Sequence, residues 1–147
     1  MLIDKSEILS LIPHSGSMCL LDSVLAWDDA SIQCLSDSHR DARNPLRRNG
    51  CLAALHAVEY GAQASAIHGG LRARHAGRTV RPGYLAALRD IRLFVDFLHD
   101  IAVPLRIDAR CLGGEQGHFI YAFEVGANGE KLAQGRLTVM ARPGVNP

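Results

Sequence analysis

At 147 residues, with 48% hydrophobic and 21% charged residues, the chain can bury a self-sufficient core and is too apolar for a disordered one. A formal net charge of +1 excludes the strong positive field that nucleic-acid or anionic-membrane binding rests on, and suits a small neutral or carrier-borne substrate. The start, Met1 to Glu7, lacks the basic and long apolar stretches of a signal peptide, and no apolar run reaches the ~20 residues of a membrane span. The expectation is a cytoplasmic protein with one domain over residues 1–147.

In chain order, Ser6 to Ile12 predicts a short helix ended by Pro13, followed by a turn over His14-Ser15-Gly16-Ser17. Met18 to Trp27 and Ser31 to Ser38 read as a hairpin about Asp28-Asp29, and His39 to Gly50 as a long irregular loop of the kind that carries function. Cys51 to His68 is apolar almost all round and free of proline, which predicts a buried helix stopped by Gly69-Gly70. After a basic connection from Leu71 to Gly83, four strands are expected: Tyr84 to Val95, Val103 to Leu112 closed by Gly113-Gly114, His118 to Val125, and Lys131 to Ala141 after the Asn128-Gly129 turn. A lone helix without a polar face needs cover on all sides, and one antiparallel sheet curling around it supplies that: an α+β hot-dog fold.

Within that helix Glu59 is a single acid among small and aliphatic residues. A buried unpaired carboxylate is expensive, so Glu59 should be neutral or paired, and either state marks a candidate proton donor. Gln63 lies one turn on, where its amide can orient that carboxyl. A purely structural anchor at a pocket edge fits the same pattern equally well. His56 shares the face roughly; His14 and His39 border turns and can present imidazoles to a cleft, while exposure is expected for His68, His75, His99 and His118. No histidine or cysteine spacing suggests a metal site, and Cys19, Cys34, Cys51 and Cys111 read as inert thiols in apolar stretches. The Gly50-Cys51 step, expected to open the helix, offers backbone N–H groups able to polarise a thioester carbonyl. Arg47-Arg48 and the segment from Arg72 to Arg81 form local basic clusters.

Leu11-Ile12-Pro13-His14 followed by Met18 to Val24 resembles the L-P-H-R-x-P-x-L-L-x-D-R-V opening of 3-hydroxyacyl-[acyl-carrier-protein] dehydratases of the FabZ type. Glu59-Tyr60-Gly61-Ala62-Gln63-Ala64 resembles their E-x-x-A-Q helix motif, and Gly135-Arg136-Leu137-Thr138 falls where their last strand lies. The stretch from Ser38-His39-Arg40-Asp41 to Asn44 through Gly50 is similar to the ApeP-like branch associated with aryl polyene pigments. The resemblance implies Glu59 as acid and His39 as base, drawn from opposite subunits of a dimer, with His14 in reserve. It further implies Gly50 as the glycine whose N–H holds the thioester carbonyl. An acyl carrier protein, a homo- or heteromeric hot-dog partner and no cofactor are implied as well, with the basic clusters facing the acidic carrier. A thioesterase on the same fold, or a non-catalytic subunit supporting a partner dehydratase, are the alternatives.

Overall fold

The structure is a computed structural model describing residues 3–12, 18–78, 83–115 and 117–141; His14, with its turn, and Arg81 lie outside them. Asp4 starts helix α1 (Lys5–Leu9): its carboxylate accepts from the Glu7 N–H at 3.1 Å, one of the donors that a helix start leaves without a partner. Strand β1 (Ser23–Trp27) starts later than Met18, because the stretch before it is engaged elsewhere. The Leu20 N–H goes to the Gln63 side chain at 2.8 Å, and its carbonyl accepts from Ser36 Oγ. Asp28 closes the turn by accepting from the Ala30 and Ser31 N–H groups at 2.9 and 2.8 Å, and β2 (Ser31–Ser36) then buries Ile32, Cys34 and Ser36 in alternation.

The central helix is shifted along the chain from its expected place. Helix α2 (Ala57–His75) follows a 3₁₀ turn at Ala54–His56 rather than starting at Cys51. The backbone before it pairs with a distant loop instead: Ala54 N–H reaches the Asp96 carbonyl at 2.9 Å, and the Leu52 carbonyl accepts from Leu98 N–H at 2.8 Å. Gly69-Gly70 do not end the helix. At Gly70 a Cβ would press on the Leu11 carbonyl at 3.2 Å, so this glycine lets α2 lie against the segment after α1. The stop is Gly77, at φ +69°, where Arg78 N–H closes on the Ala73 carbonyl at 2.8 Å and Gly77 N–H on Arg74 at 3.0 Å.

Strands β3 (Gly83–Leu93), β4 (Leu105–Glu115), β5 (His118–Ala127) and β6 (Glu130–Ala141) complete one antiparallel sheet in the order β1-β2-β4-β5-β6-β3. Gly113-Gly114 lie inside β4 rather than closing it, at a register shift in its pairing with β5. The sheet curls over α2, which packs against β2, β4, β5 and β6, and buries Val58, Tyr60, Ala64, Ile67 and Leu71 among Ile32, Ile107, Tyr121, Phe123 and Leu137. This is the hot-dog arrangement. Its helix is not wrapped on every side, however: Glu59, Ala62, Ala66 and Gly69, spaced by threes and fours, share a flank that stays partly uncovered, and the last turn bears exposed Arg74 and His75. Among the described residues no helix is long and apolar enough to cross a membrane.

Candidate active site

Glu59 stands in the first turn of α2. It is half-buried, and Gln63 Nε2 donates to its Oε1 at 3.2 Å. That amide is fixed at both ends, since its Oε1 accepts from the Leu20 N–H at 2.8 Å and its Nε2 also donates to the Met18 carbonyl at 2.7 Å. With the Gln63 side chain fully buried, residues 18–20 and the helix together hold the carboxyl.

His39 occupies a 3₁₀ turn (Ser38–Arg40) and is wholly buried, with Nε2 3.0 Å from the Ile101 carbonyl. A carbonyl only accepts, so the proton sits on Nε2 and the lone pair on Nδ1, which is buried without a hydrogen-bond partner among the described residues. Burial away from water holds this imidazole below its usual pKa, against the opposing pull of the Ile101 carbonyl, Asp37 and the Val103 carbonyl.

A polar network that the sequence reading missed anchors the turn. Ser38 Oγ lies 2.9 Å from Ser36 Oγ and 2.7 Å from Tyr60 Oη; Asn44 Nδ2 donates to the Ser38 carbonyl at 2.9 Å and to Tyr60 Oη at 3.3 Å. The residue after Glu59 is thereby bonded to the residue before His39. Burial pushes the Tyr60 hydroxyl up, so it stays protonated and can serve as donor.

Gly50 is at φ +76° beside Asn49 at φ +53°, and Arg48 and Cys51 exchange backbone hydrogen bonds across them at 2.8 and 2.9 Å. This is a two-residue hairpin turn, not a helix start, so the helix-dipole part of the Gly50 expectation is corrected. Arg47 differs from a solvated docking residue: it is half-buried, and its guanidinium turns inward onto backbone carbonyls. Two histidines expected at the surface are also engaged. His99 Nδ1 accepts from the Leu52 N–H at 3.0 Å, and fully buried His68 bridges Tyr121 Oη at 2.7 Å and the Asp28 carbonyl at 2.8 Å. His56 is partly buried at the start of α2. Cys19 and Cys34 are buried, with the Cys34 thiol pushed up to about 12 by burial, while Cys51 and Cys111 are only partly so.

With this geometry in hand, the family model of ApeP-like dehydratases, described as ApeP dehydratase, matches residues 6–146. The chain belongs to the ApeP-like dehydratase family. Among solved structures, this ApeP-like chain is similar to the dehydratase heterocomplex ApeI:P from Xenorhabdus doucetiae, at 24% identity and a TM-score of 0.84, over 92% of this chain and 91% of that one. It is similar to a putative thioesterase from Shewanella oneidensis at 15% identity and a TM-score of 0.60, over 90% of each chain. A hypothetical thioesterase with coenzyme A from Streptococcus pneumoniae aligns at 12% identity and a TM-score of 0.58, over 82% of this chain and 84% of that one. No curated protein matches.

Proposed function

We propose that this chain contributes His39 and Glu59 to a dehydratase that removes water from a carrier-bound 3-hydroxyacyl thioester, giving the trans-2-enoyl thioester. The observation that carries the reading is the His39 imidazole, which is shielded from water and keeps the lone pair on Nδ1 uncommitted. Nδ1 takes the proton from C2, whose electron pair becomes the second bond between C2 and C3. The C3–O bond breaks, Glu59 gives its proton to the departing hydroxyl, and water leaves. Exchange with solvent then returns a proton to Glu59 and removes one from His39. A backbone N–H at the Gly50 turn would steady the charge that builds on the thioester oxygen.

His39 and Glu59 work here across two subunits, this chain pairing with a second hot-dog subunit. Two features support that assembly. Among the described residues strand β3 pairs with β6 alone, and beside its charged Arg89, Asp90 and Arg92 it exposes Tyr84, Leu85, Leu88 and Leu93, an edge open to a further strand. The partly uncovered flank of α2 that carries Glu59 needs a neighbour to become a closed site. Exposed Arg48 and Arg78 are placed to steer an acidic carrier protein.

The likeness to solved thioesterases motivates the competing reading, in which Glu59 promotes hydrolysis. Incubating the chain, alone and with its hot-dog partner, with a 3-hydroxyacyl thioester separates the two. Absorbance from a conjugated enoyl thioester supports dehydration, whereas release of free thiol with no enoyl product overturns it.

A further inference from the structure

We infer that Arg47 is a positioning residue for the dehydration site, clamping the His39 turn to the Gly50 turn, and is not part of the carrier-docking surface. The inference rests on the dehydratase reading for its catalytic consequence and on geometry alone for the clamp.

The two turns are joined by an irregular stretch with no ladder of its own, yet each bears a residue assigned to the reaction. Arg47 spans them: Nη2 donates to the His39 carbonyl at 2.9 Å and Nη1 to the Gly50 carbonyl at 3.0 Å. Its Nε is buried with no hydrogen bond among the described residues, so that side of the guanidinium faces protein, while the Nη1 end reaches Gly50 at the surface. Arg47 enters no ion pair among the described residues; Asp41, whose own carboxylate is bonded to Arg43, is the nearby anion that feels its charge. Neighbouring Arg48 differs in being exposed, its guanidinium donating among the described residues to the Pro45 and Arg47 carbonyls, within its own turn.

The planar fork of a guanidinium can reach two carbonyls that point from different turns, while a lysine ammonium is a single point of charge that satisfies one. Small errors in the placement of a base carry large rate penalties, because proton transfer demands hydrogen-bond distance. The clamp therefore governs the rate of the chemical step and leaves carrier affinity untouched.

The test compares wild type, Arg47→Lys and Arg47→Met, each as the full chain with its hot-dog partner, on a carrier-borne substrate and on a short pantetheine thioester. The clamp predicts that both variants lose about 10- to 100-fold in kcat on both substrates, with KM within about twofold. It also predicts that the His39 imidazole resonances of ¹⁵N-histidine-labelled protein move in both variants, whereas those of His68 stay in place. Loss confined to the carrier-borne substrate through a raised KM overturns the inference in favour of docking, as do unmoved His39 resonances. Should wild type make no enoyl product while the His39 resonances still move, the clamp stands and the dehydratase reading falls. If Arg47→Met does not fold, Arg47→Lys alone decides.

Discussion

Replacing Gln63 with leucine tests the link between fold and site, because it keeps the side-chain volume and removes only the amide. The Leu20 N–H is buried and bonded to Gln63 Oε1 at 2.8 Å; with leucine at 63 it loses that acceptor. An orphaned buried donor costs about 1–3 kcal/mol, and the Met18 carbonyl, which is less deeply buried, adds about 1 kcal/mol. The sum, about 2–4 kcal/mol, corresponds to a fall in Tm of roughly 4–16 °C for a domain of this size. Urea unfolding of purified Gln63→Leu followed by circular dichroism reads the loss directly. Glu59 also loses a donor, so dehydration should slow about 10-fold or more under conditions where the variant is still folded. Stability within about 0.5 kcal/mol of wild type would refute the argument that this amide latches residues 18–20 to the helix.

Further outcomes follow from packing, charge and edges. At Gly61 an added Cβ would meet the Phe123 ring at 2.5 Å, while at Gly69 it meets nothing within 4 Å. Gly69→Ala should raise stability by up to about 1 kcal/mol, whereas Gly61→Ala should lie about 1–3 kcal/mol below it in denaturant titrations; equal effects would contradict the packing. Burial lowers the pKa of both His39 and His68, so the unfolded chain takes up these protons first as pH falls. Stability is then fully present above about pH 6.5 and declines below it, by at most about 1.4 kcal/mol per pH unit for each histidine; Asp4, Asp28 and Asp41, held below the usual carboxylate range, act only under about pH 4. A flat urea midpoint between pH 6.5 and 4.5 would contradict this. Leu88→Arg, on the exposed face of β3, should weaken assembly with the hot-dog partner at least 10-fold by sedimentation while leaving the chain's own Tm within a few degrees.

Much of the architecture was legible because alternation and helical composition survive folding. Ile32, Cys34 and Ser36 face inward as their spacing implies, and Asn128-Gly129 makes its hairpin at φ +53° and +79°. Element ends were misread where tertiary packing outweighs local preference. Gly69 and Gly70 cost α2 about 1 kcal/mol each in propensity, yet the helix continues through them, packed against Leu11 at Gly70. The helix start was misplaced because the backbone of Leu52 and Ala54 is claimed by Asp96, Leu98 and His99, which no local pattern announces. In the site, Glu59 and Gln63 stood out as polar residues one turn apart in an apolar helix. The setting of His39 did not, since its burial and its Ile101 partner come from 62 residues away. Arg47 looked like Arg48, because sequence alone does not say which of two adjacent cations turns inward.

The most direct test is the rate of Glu59→Gln, a near-isosteric change that removes the acid and keeps the helix. With the full chain, its hot-dog partner and a carrier-borne 3-hydroxyacyl thioester, formation of the enoyl product should fall about 10²–10⁴-fold with little change in Tm. An unchanged rate would contradict the assignment of proton donation to this chain and would make it a supporting subunit.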